Sequence, residues 1–234
     1  MAGESVVLIV PTLNEAASIG SALRSIPCGI VHRVIVVDGG STDDTAARAR
    51  AAGAEVLQVG RGYGRACLAA AEAATDAKIL VFMDGDGADE PAAIPDLIAP
   101  IQSGECDFVI GSRVLGEREP GSMSIHQVAA GVVIGWLVRL LYGVRYTDMS
   151  AFRAIRRDAL LSLGMREMTY GWNLEMQMRA ARHGLRVREI PVRYYRRTGG
   201  ASKVAGSLRG TVKAGSRIVA TFLRIALKPR ATVS

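Results

Sequence analysis

Cysteine is scarce in this chain. Cys28, Cys67 and Cys106 show neither C-x-x-C spacing nor an even count. That argues against a disulfide framework and reads as reduced, mostly structural thiols in a cytosolic protein. Aromatic residues make up only 5%, too few for base-stacking platforms. No nucleic-acid-binding motif is present, so nucleic acid is the weakest partner class. No apolar run reaches the roughly 18–20 residues of a spanning helix. The nearest stretches, 128–141 and 218–227, carry Arg139 and Arg224. No basic-then-apolar leader is seen ahead of the first strand-like segment. Internal repeats and low-complexity linkers are also absent.

Acids are outnumbered: 22 Asp and Glu face 29 Lys and Arg, a net charge of +7. An anionic partner follows, whether a membrane surface or a phosphorylated substrate. Hydrophobic residues reach 49% of 234 positions, enough to bury a sizeable core and to exclude global disorder.

The first half alternates strand and helix patterns. Strands are expected at 5–11, 33–37, 55–59, 78–83 and 107–111, with helices at 15–26, 41–52, 65–74 and from about Pro91. This rhythm predicts an α/β fold with a Rossmann-like, mostly parallel sheet and helices on both faces. The second half reads as a long apolar helix over 124–143, a strand near 151–155 and a helix over 170–183. A strand within 186–195 is broken by Pro191, and a last helix covers 206–227. No composition break separates residues 1–115 from 116–234. They are expected to be two halves of one domain, the first holding a nucleotide and the second an acceptor, with a C-terminal helical elaboration.

Three strand ends carry polar clusters: Pro11-Thr12-Leu13-Asn14-Glu15, Asp38-Gly39-Gly40-Ser41-Thr42-Asp43 and Asp84-Gly85-Asp86. In an open α/β sheet such ends converge on one crevice. The closely spaced carboxylates of Asp84 and Asp86 suit Mg²⁺ or Mn²⁺ bridging to a pyrophosphate. Each cluster alone equally reads as a turn or helix cap. Gly60-Arg61-Gly62-Tyr63-Gly64 fails the dinucleotide fingerprint, since Arg65 stands where the last glycine should be. It is either a tight loop or a phosphate-receiving helix start.

The ordered series is specific. It runs Pro11-Thr12-x-Asn14-Glu15, Val37-Asp38-x-x-Ser41-x-Asp43-x-Thr45, Gly62-x-Gly64-x-Ala66, Asp84-x-Asp86 and Gly111-Ser112-Arg113. It resembles an inverting family 2 glycosyltransferase of GT-A fold. Asp148-Met149-Ser150-Ala151-Phe152-Arg153, Glu175 and Arg197-x-x-x-x-Ser202-Lys203 are similar to the dolichol-phosphate mannose synthase group and its bacterial polyprenyl-phosphate relatives. The resemblance spans roughly residues 5–215. It implies a sugar moved from a UDP- or GDP-linked donor to a polyprenyl or dolichyl phosphate. Pro11, Thr12, Asn14, Glu15, Asp38, Gly62, Asp84 and Asp86 are then expected at the donor. Arg113, Arg197, Ser202 and Lys203 are expected at the acceptor phosphate, with Asp86, Arg113 and Arg197 central to catalysis. Mg²⁺ or Mn²⁺ is expected on Asp84 and Asp86. The family's usual Gln is Ala88 here, which leaves Asp89 as the third metal ligand. The Asp148–Arg153 segment is one residue shorter than the family pattern.

A lipid phosphate is anionic at pH 7 and needs little help from a general base. Holding two anions together and stabilising the leaving diphosphate fall to metal, Arg and Lys. A soluble hydroxyl acceptor would instead require a base, for which Glu175 or Asp148 are candidates. A non-catalytic membrane-binding module with a nucleotide pocket is a third reading. A polyprenyl tail calls for a membrane-facing surface. Lys213, Arg217, Arg224 and Lys228 recur at i, i+4, i+11 and i+15, opposite Val212, Val219, Phe222, Leu223 and Ile225. That reads as a basic interfacial helix. The expected location is cytoplasmic, peripheral at the inner face of the membrane, directly or through a membrane protein partner.

Overall fold

The computed structural model describes residues 5–199 and 208–227. Seven strands form one sheet: β1 Val6–Thr12, β2 Arg33–Asp38, β3 Glu55–Gln58, β4 Ile79–Phe82, β5 Phe108–Ser112, β6 Arg153–Arg156 and β7 Val187–Pro191. Their order is β3-β2-β1-β4-β6-β5-β7. All neighbours are parallel except β6, which runs antiparallel to both β4 and β5. The sheet is therefore mixed around a mostly parallel frame, as the alternating pattern predicts. The reversal of β6 carries no signal in a four-residue segment and had no sequence expectation attached.

Strand alternation divides the core into two layers. In β1, Val7 and Ile9 join the layer that Trp172, Leu174, Met176 and Ile225 complete. Val6, Leu8 and Val10 turn to the layer built with Ile19, Ile94 and Leu97. These five of the seven β1 side chains are fully buried. Each such Val or Leu contributes roughly 1.5–3 kcal/mol relative to exposure.

The helices are α1 Ile19–Arg24, α2 Thr45–Ala51, α3 Tyr63–Ala73, α4 Ile94–Gln102, α5 Ile125–Tyr142, α6 Arg157–Ser162, α7 Trp172–Arg182 and α8 Leu208–Ala226. A 3₁₀ turn at Pro91–Ala93 leads into α4, and Pro lies in the first turn of each. The short α6 had no sequence expectation, because its single turn follows β6 without a glycine or proline to mark it.

Helix α5 has clear punctuation. Ser124 and Gln127 form a capping box, and Gly143 ends the helix at φ 78°. The cap sets the start at Ile125, three residues earlier than the apolar run at 128–141. The resulting 18 residues are apolar enough, by length and composition, to cross a membrane. At 1.5 Å per residue they span about 27 Å. Only Gly131, Gly135 and Val138 are buried. A Cβ at Gly135 would lie 2.0 Å from the Tyr146 carbonyl, so the helix lies directly on backbone along a narrow seam. Trp136 is 61% exposed and Leu140 69%, with Ile125, Val132 and Val133 also outward.

Helix α8 corrects one expectation. Ala214, Thr221 and Ile225 face inward, and Val219, Leu223 and Leu227 are exposed. The Arg217 and Arg224 side chains stay 55% and 37% exposed but reach toward buried carboxylates. They pair with Glu167, and Arg224 also reaches Glu175 at 3.3 Å. Counting charges at helical spacing located a real stripe, but buried carboxylates on α7 and the loop before it claim that stripe. Lys228 and the Lys213 side chain lie outside the described residues.

Candidate active site at the carboxyl edge of the sheet

The carboxyl ends of β1, β2 and β4 open onto a cleft of about 1120 Å³. Pro11, Thr12 and Glu15 line it from β1, Gly62 and Tyr63 from the start of α3, and Asp84 and Asp86 from the end of β4. Arg113 reaches it from just beyond β5, and Arg197 from the second half of the chain, with Tyr194, Asn173 and Arg217.

Two loops build the donor edge through mutual hydrogen bonds. The Asn14 amide N–H donates to Ser41 Oγ at 2.9 Å, and Asn14 Oδ1 accepts from the Thr42 N–H at 2.8 Å. This requires φ 52° at Asn14, a left-handed conformation that Asn tolerates better than most residues. Buried Asp38 accepts from the Ser41 N–H and hydroxyl. The Glu15 N–H donates to Thr45 Oγ1 at 2.8 Å. Asn14 and Asp38 therefore brace the loops, while their neighbours Leu13, Glu15 and Gly39 line the cleft.

The Asp84–Asp86 turn is held from behind. Asp86 Oδ1 accepts from the Ala88 N–H at 3.0 Å, and Asp89 Oδ2 from the Asp84 N–H at 3.1 Å. Burial and the Asp86 charge push the Asp84 carboxyl up to about 7. Burial and then Asp84 push Asp89 up as well. The mutual repulsion of crowded carboxylates is what a divalent cation would relieve. Among the described residues no group of three His, Cys, Asp or Glu side chains is arranged to hold a metal ion. Two carboxylates completed by diphosphate oxygens nonetheless fit Mg²⁺ or Mn²⁺, which take few protein ligands. Asp89 lies against the Asp84 backbone and does not line the cleft.

Arg197 sits between Glu15 Oε1 at 2.6 Å and Asp86 Oδ2 at 3.1 Å. The structure thus seats it at the donor edge, tying the first loop to the carboxylate turn. Ser202 and Lys203 lie outside the described residues. Arg113 bonds Asp148 through Nε at 2.8 Å and Nη2 at 2.7 Å, and its guanidinium stacks 4.9 Å from the Tyr194 ring. Burial pushes the Asp148 carboxyl up, but the bonds from Arg113 outweigh it and hold the group below its ordinary 3.8. A depressed carboxylate contributes stability that is present above its unfolded value and lost as pH falls through the folded one. Asp148→Asn is therefore expected to unfold more easily at pH 7 and to show a shallower acid loss below about pH 4. Parallel acid titrations followed by circular dichroism check this.

Glu175 and Asp148, the two candidate bases for a hydroxyl acceptor, are both engaged elsewhere. Glu175 is fully buried, accepts from the Arg166 and Glu167 N–H groups, and pairs with Arg179 at 2.9 Å. Neither residue lines the cleft. The glycine turn before α3 also has a structural use. A Cβ at Gly64 would sit 2.1 Å from the Glu167 carbonyl, and one at Gly62 2.5 Å from that of Met168. Sequence reading missed Tyr63, Tyr170, Asn173, Tyr194 and Arg217 as lining residues. Only Tyr63, flanked by Gly62 and Gly64, carried a usable signal.

Known proteins share this fold. Glucosyl-3-phosphoglycerate synthase of Mycobacterium tuberculosis, solved in complex with Mn²⁺, uridine-diphosphate and phosphoglyceric acid, superposes with a TM-score of 0.77 at 27% identity. The match covers 97% of this chain and 80% of that one. The α/β architecture is accordingly GT-A-like. An uncharacterised glycosyltransferase of M. tuberculosis is 41% identical over 215 residues, 91% of this chain and 95% of the relative. The undecaprenyl-phosphate mannosyltransferase of Micrococcus luteus is 31% identical over 223 residues, covering 88% and 89%. Residues 7–164 match the family described as Glycosyl transferase family 2. With that match over most of the chain, and these carboxylates at the end of β4, the protein belongs to glycosyl transferase family 2.

Proposed function

We propose that this glycosyltransferase moves a sugar from a nucleotide donor to a polyprenyl phosphate held at a membrane surface. One observation carries the reading. The cleft is walled by Gln127 in the first turn of α5 and by Ala214, Ser216, Arg217, Ile218 and Ala220 of α8. These same two helices turn apolar faces outward that no other described residue covers. A lipid lying along those faces has its phosphate end at the cleft.

The chemistry suits the side chains. A phosphate oxygen of the acceptor attacks the anomeric carbon. A carbon–oxygen bond forms there as the bond to the donor diphosphate breaks, and the electron pair leaves with the nucleoside diphosphate. The configuration inverts. No proton need be removed, because the acceptor is already ionised. This agrees with Asp148 and Glu175 both being tied up in ion pairs. Glu15 and the first loops position the nucleotide, and Asp84 and Asp86 would hold the divalent cation. The cation supplies charge neutralisation for the diphosphate as it departs. Arg113, fixed by Asp148 and Tyr194, and Arg217 provide the positive field that draws in the acceptor phosphate. The 31% identity to an undecaprenyl-phosphate mannosyltransferase supports a lipid acceptor. A soluble phosphorylated acceptor is the second reading. It is favoured by the neighbouring structures that contain phosphoglyceric acid.

The deciding experiment offers labelled nucleotide sugars with Mg²⁺ or Mn²⁺ and either short-chain polyprenyl phosphate or phosphoglyceric acid. Label entering the organic phase supports the lipid reading, and label kept in a water-soluble product selects the other. A companion test addresses the helix faces. The pair Val133→Glu and Trp136→Glu is expected to weaken co-sedimentation with anionic vesicles roughly tenfold or more, since each exposed apolar side chain can bury about 1.5–3 kcal/mol of transfer energy. Transfer to a water-soluble short acceptor should persist. Unchanged sedimentation would remove α5 from the membrane contact.

A further inference from the structure

The floor of the cleft contains polar groups that the loops, the cation and the acceptor phosphate leave unused. The Tyr63 hydroxyl and Asn173 Oδ1 are both buried, and neither makes a conventional hydrogen bond among the described residues. The Tyr63 hydroxyl meets the weakly polar Cys67 thiol, one helical turn along α3. Both residues line the cleft. An unpaired buried polar atom costs roughly 1–3 kcal/mol, which a hydrogen-bonding ligand in the cleft would recover.

Beneath them lies Arg153, with no exposure at all. Its Nη1 donates to the Asn173 carbonyl at 3.3 Å, and its guanidinium stacks 5.7 Å from the Phe108 ring. None of its described hydrogen bonds is to a carboxylate. It fixes the first turn of α7, and with it the position from which the Asn173 side chain projects.

We infer that Tyr63 and Asn173 read hydroxyl groups of the sugar being transferred, next to Asp84. The chemistry of the atoms selects the ligand. Tyr63 offers an O–H donor, and Asn173 Oδ1 and Asp84 offer acceptors. An ionised phosphate brings acceptors only and would leave Asn173 Oδ1 unpaired. Sugar hydroxyls both donate and accept, so two neighbouring ones satisfy all three. The cleft is thereby divided, with guanidinium groups of Arg113, Arg197 and Arg217 for phosphates and the Tyr63–Asn173 floor for hydroxyls. Tyr63 opens α3 directly after Gly62 and lines the cleft together with Asp84, which places the phenol on the donor side. Sites that pair with a specific hydroxyl reject analogues lacking it far better than apolar pockets do. Tyr63 and Asn173 are thus specificity-determining residues for the sugar.

The inference rests on the nucleotide-sugar donor of the proposed reaction and not on its lipid acceptor, so donor binding alone tests it. Calorimetry with Mn²⁺ would measure UDP and GDP against UDP-glucose, UDP-galactose and GDP-mannose, using wild type, Tyr63→Phe and Asn173→Ala. In wild type, one nucleotide sugar should bind better than its nucleoside diphosphate and better than its epimer. Each variant should lose roughly tenfold for that nucleotide sugar, the worth of one hydrogen bond. Affinity for UDP or GDP should be unchanged, and so should the melting temperature of Tyr63→Phe. Equal weakening of the sugar nucleotide and the bare diphosphate would overturn the inference and make these residues part of the fold. So would variants that bind like wild type, or a wild type indifferent to the sugar. Failure of transfer to polyprenyl phosphate would defeat the proposed acceptor and leave this result standing.

Discussion

Asp86→Asn is expected to lower sugar transfer roughly 10³-fold while leaving thermal unfolding almost unchanged. The amide keeps an oxygen that can accept from the Ala88 N–H, so the turn after β4 retains its brace. It loses the negative charge that faces Arg197 and shares the cleft with Asp84. A cation held by one carboxylate instead of two gives up several kcal/mol of stabilisation at the departing diphosphate. At 1.36 kcal/mol per factor of ten, about 4 kcal/mol corresponds to three orders of magnitude. Chelator sharpens the test. Wild-type activity should drop to the variant's level in EDTA, while the variant should respond little. An Asp86→Asn enzyme that turns over like wild type with Mg²⁺ or Mn²⁺ would end the assignment of this turn as the metal site.

What the sequence disclosed follows from how local each feature is. The βα alternation and the Asp84–Asp86 pair at a strand end are short-range patterns, and both are where they were expected. Pro11, Thr12, Glu15, Gly62, Asp84, Asp86, Arg113 and Arg197 do converge on one cleft. Features set by distant partners were illegible. Arg217 and Arg224 look like a lipid-facing stripe until Glu167 and Glu175, some fifty residues away, are seen to take them. Asn173 reads as an ordinary polar position in a helix, because nothing in the sequence shows that its oxygen is left without a donor. The antiparallel course of β6 depends on its insertion between β4 and β5, which no four-residue pattern encodes.

Glu175→Ala is expected to cost about 3–5 kcal/mol of folding stability. The wild-type carboxylate is fully buried and holds two backbone N–H groups together with Arg179 and Arg224. Removing it orphans both N–H groups and takes from Arg179 its carboxylate, while Arg224 keeps Glu167; breaking a buried pair leaves an uncompensated charge in low dielectric. For a chain of this size the loss corresponds to roughly 10 °C in melting temperature. Calorimetric unfolding of the two proteins checks it. The Arg224→Met variant separates the contributions. It leaves Glu175 paired with Arg179, so its cost should be well below that of Glu175→Ala. A Glu175→Ala protein melting within about 2 °C of wild type would show that the network holds geometry without contributing stability.

The position of β6 bears on how the chain is made. Strands β4 and β5 are consecutive in sequence, yet neither pairs with the other; each pairs with β6. A nascent chain that has emerged as far as residue 115 therefore holds two strand edges facing a gap. Unpaired edges recruit other strands, including those of neighbouring chains. The gap closes only when residues 153–156 arrive, and the far side of β5 is covered only by 187–191. Folding of the strands made earlier is thus held open until residues 187–191 have been synthesised. A fragment ending at 115 should aggregate rather than bind nucleotide, although it carries nearly every donor-side residue of the cleft.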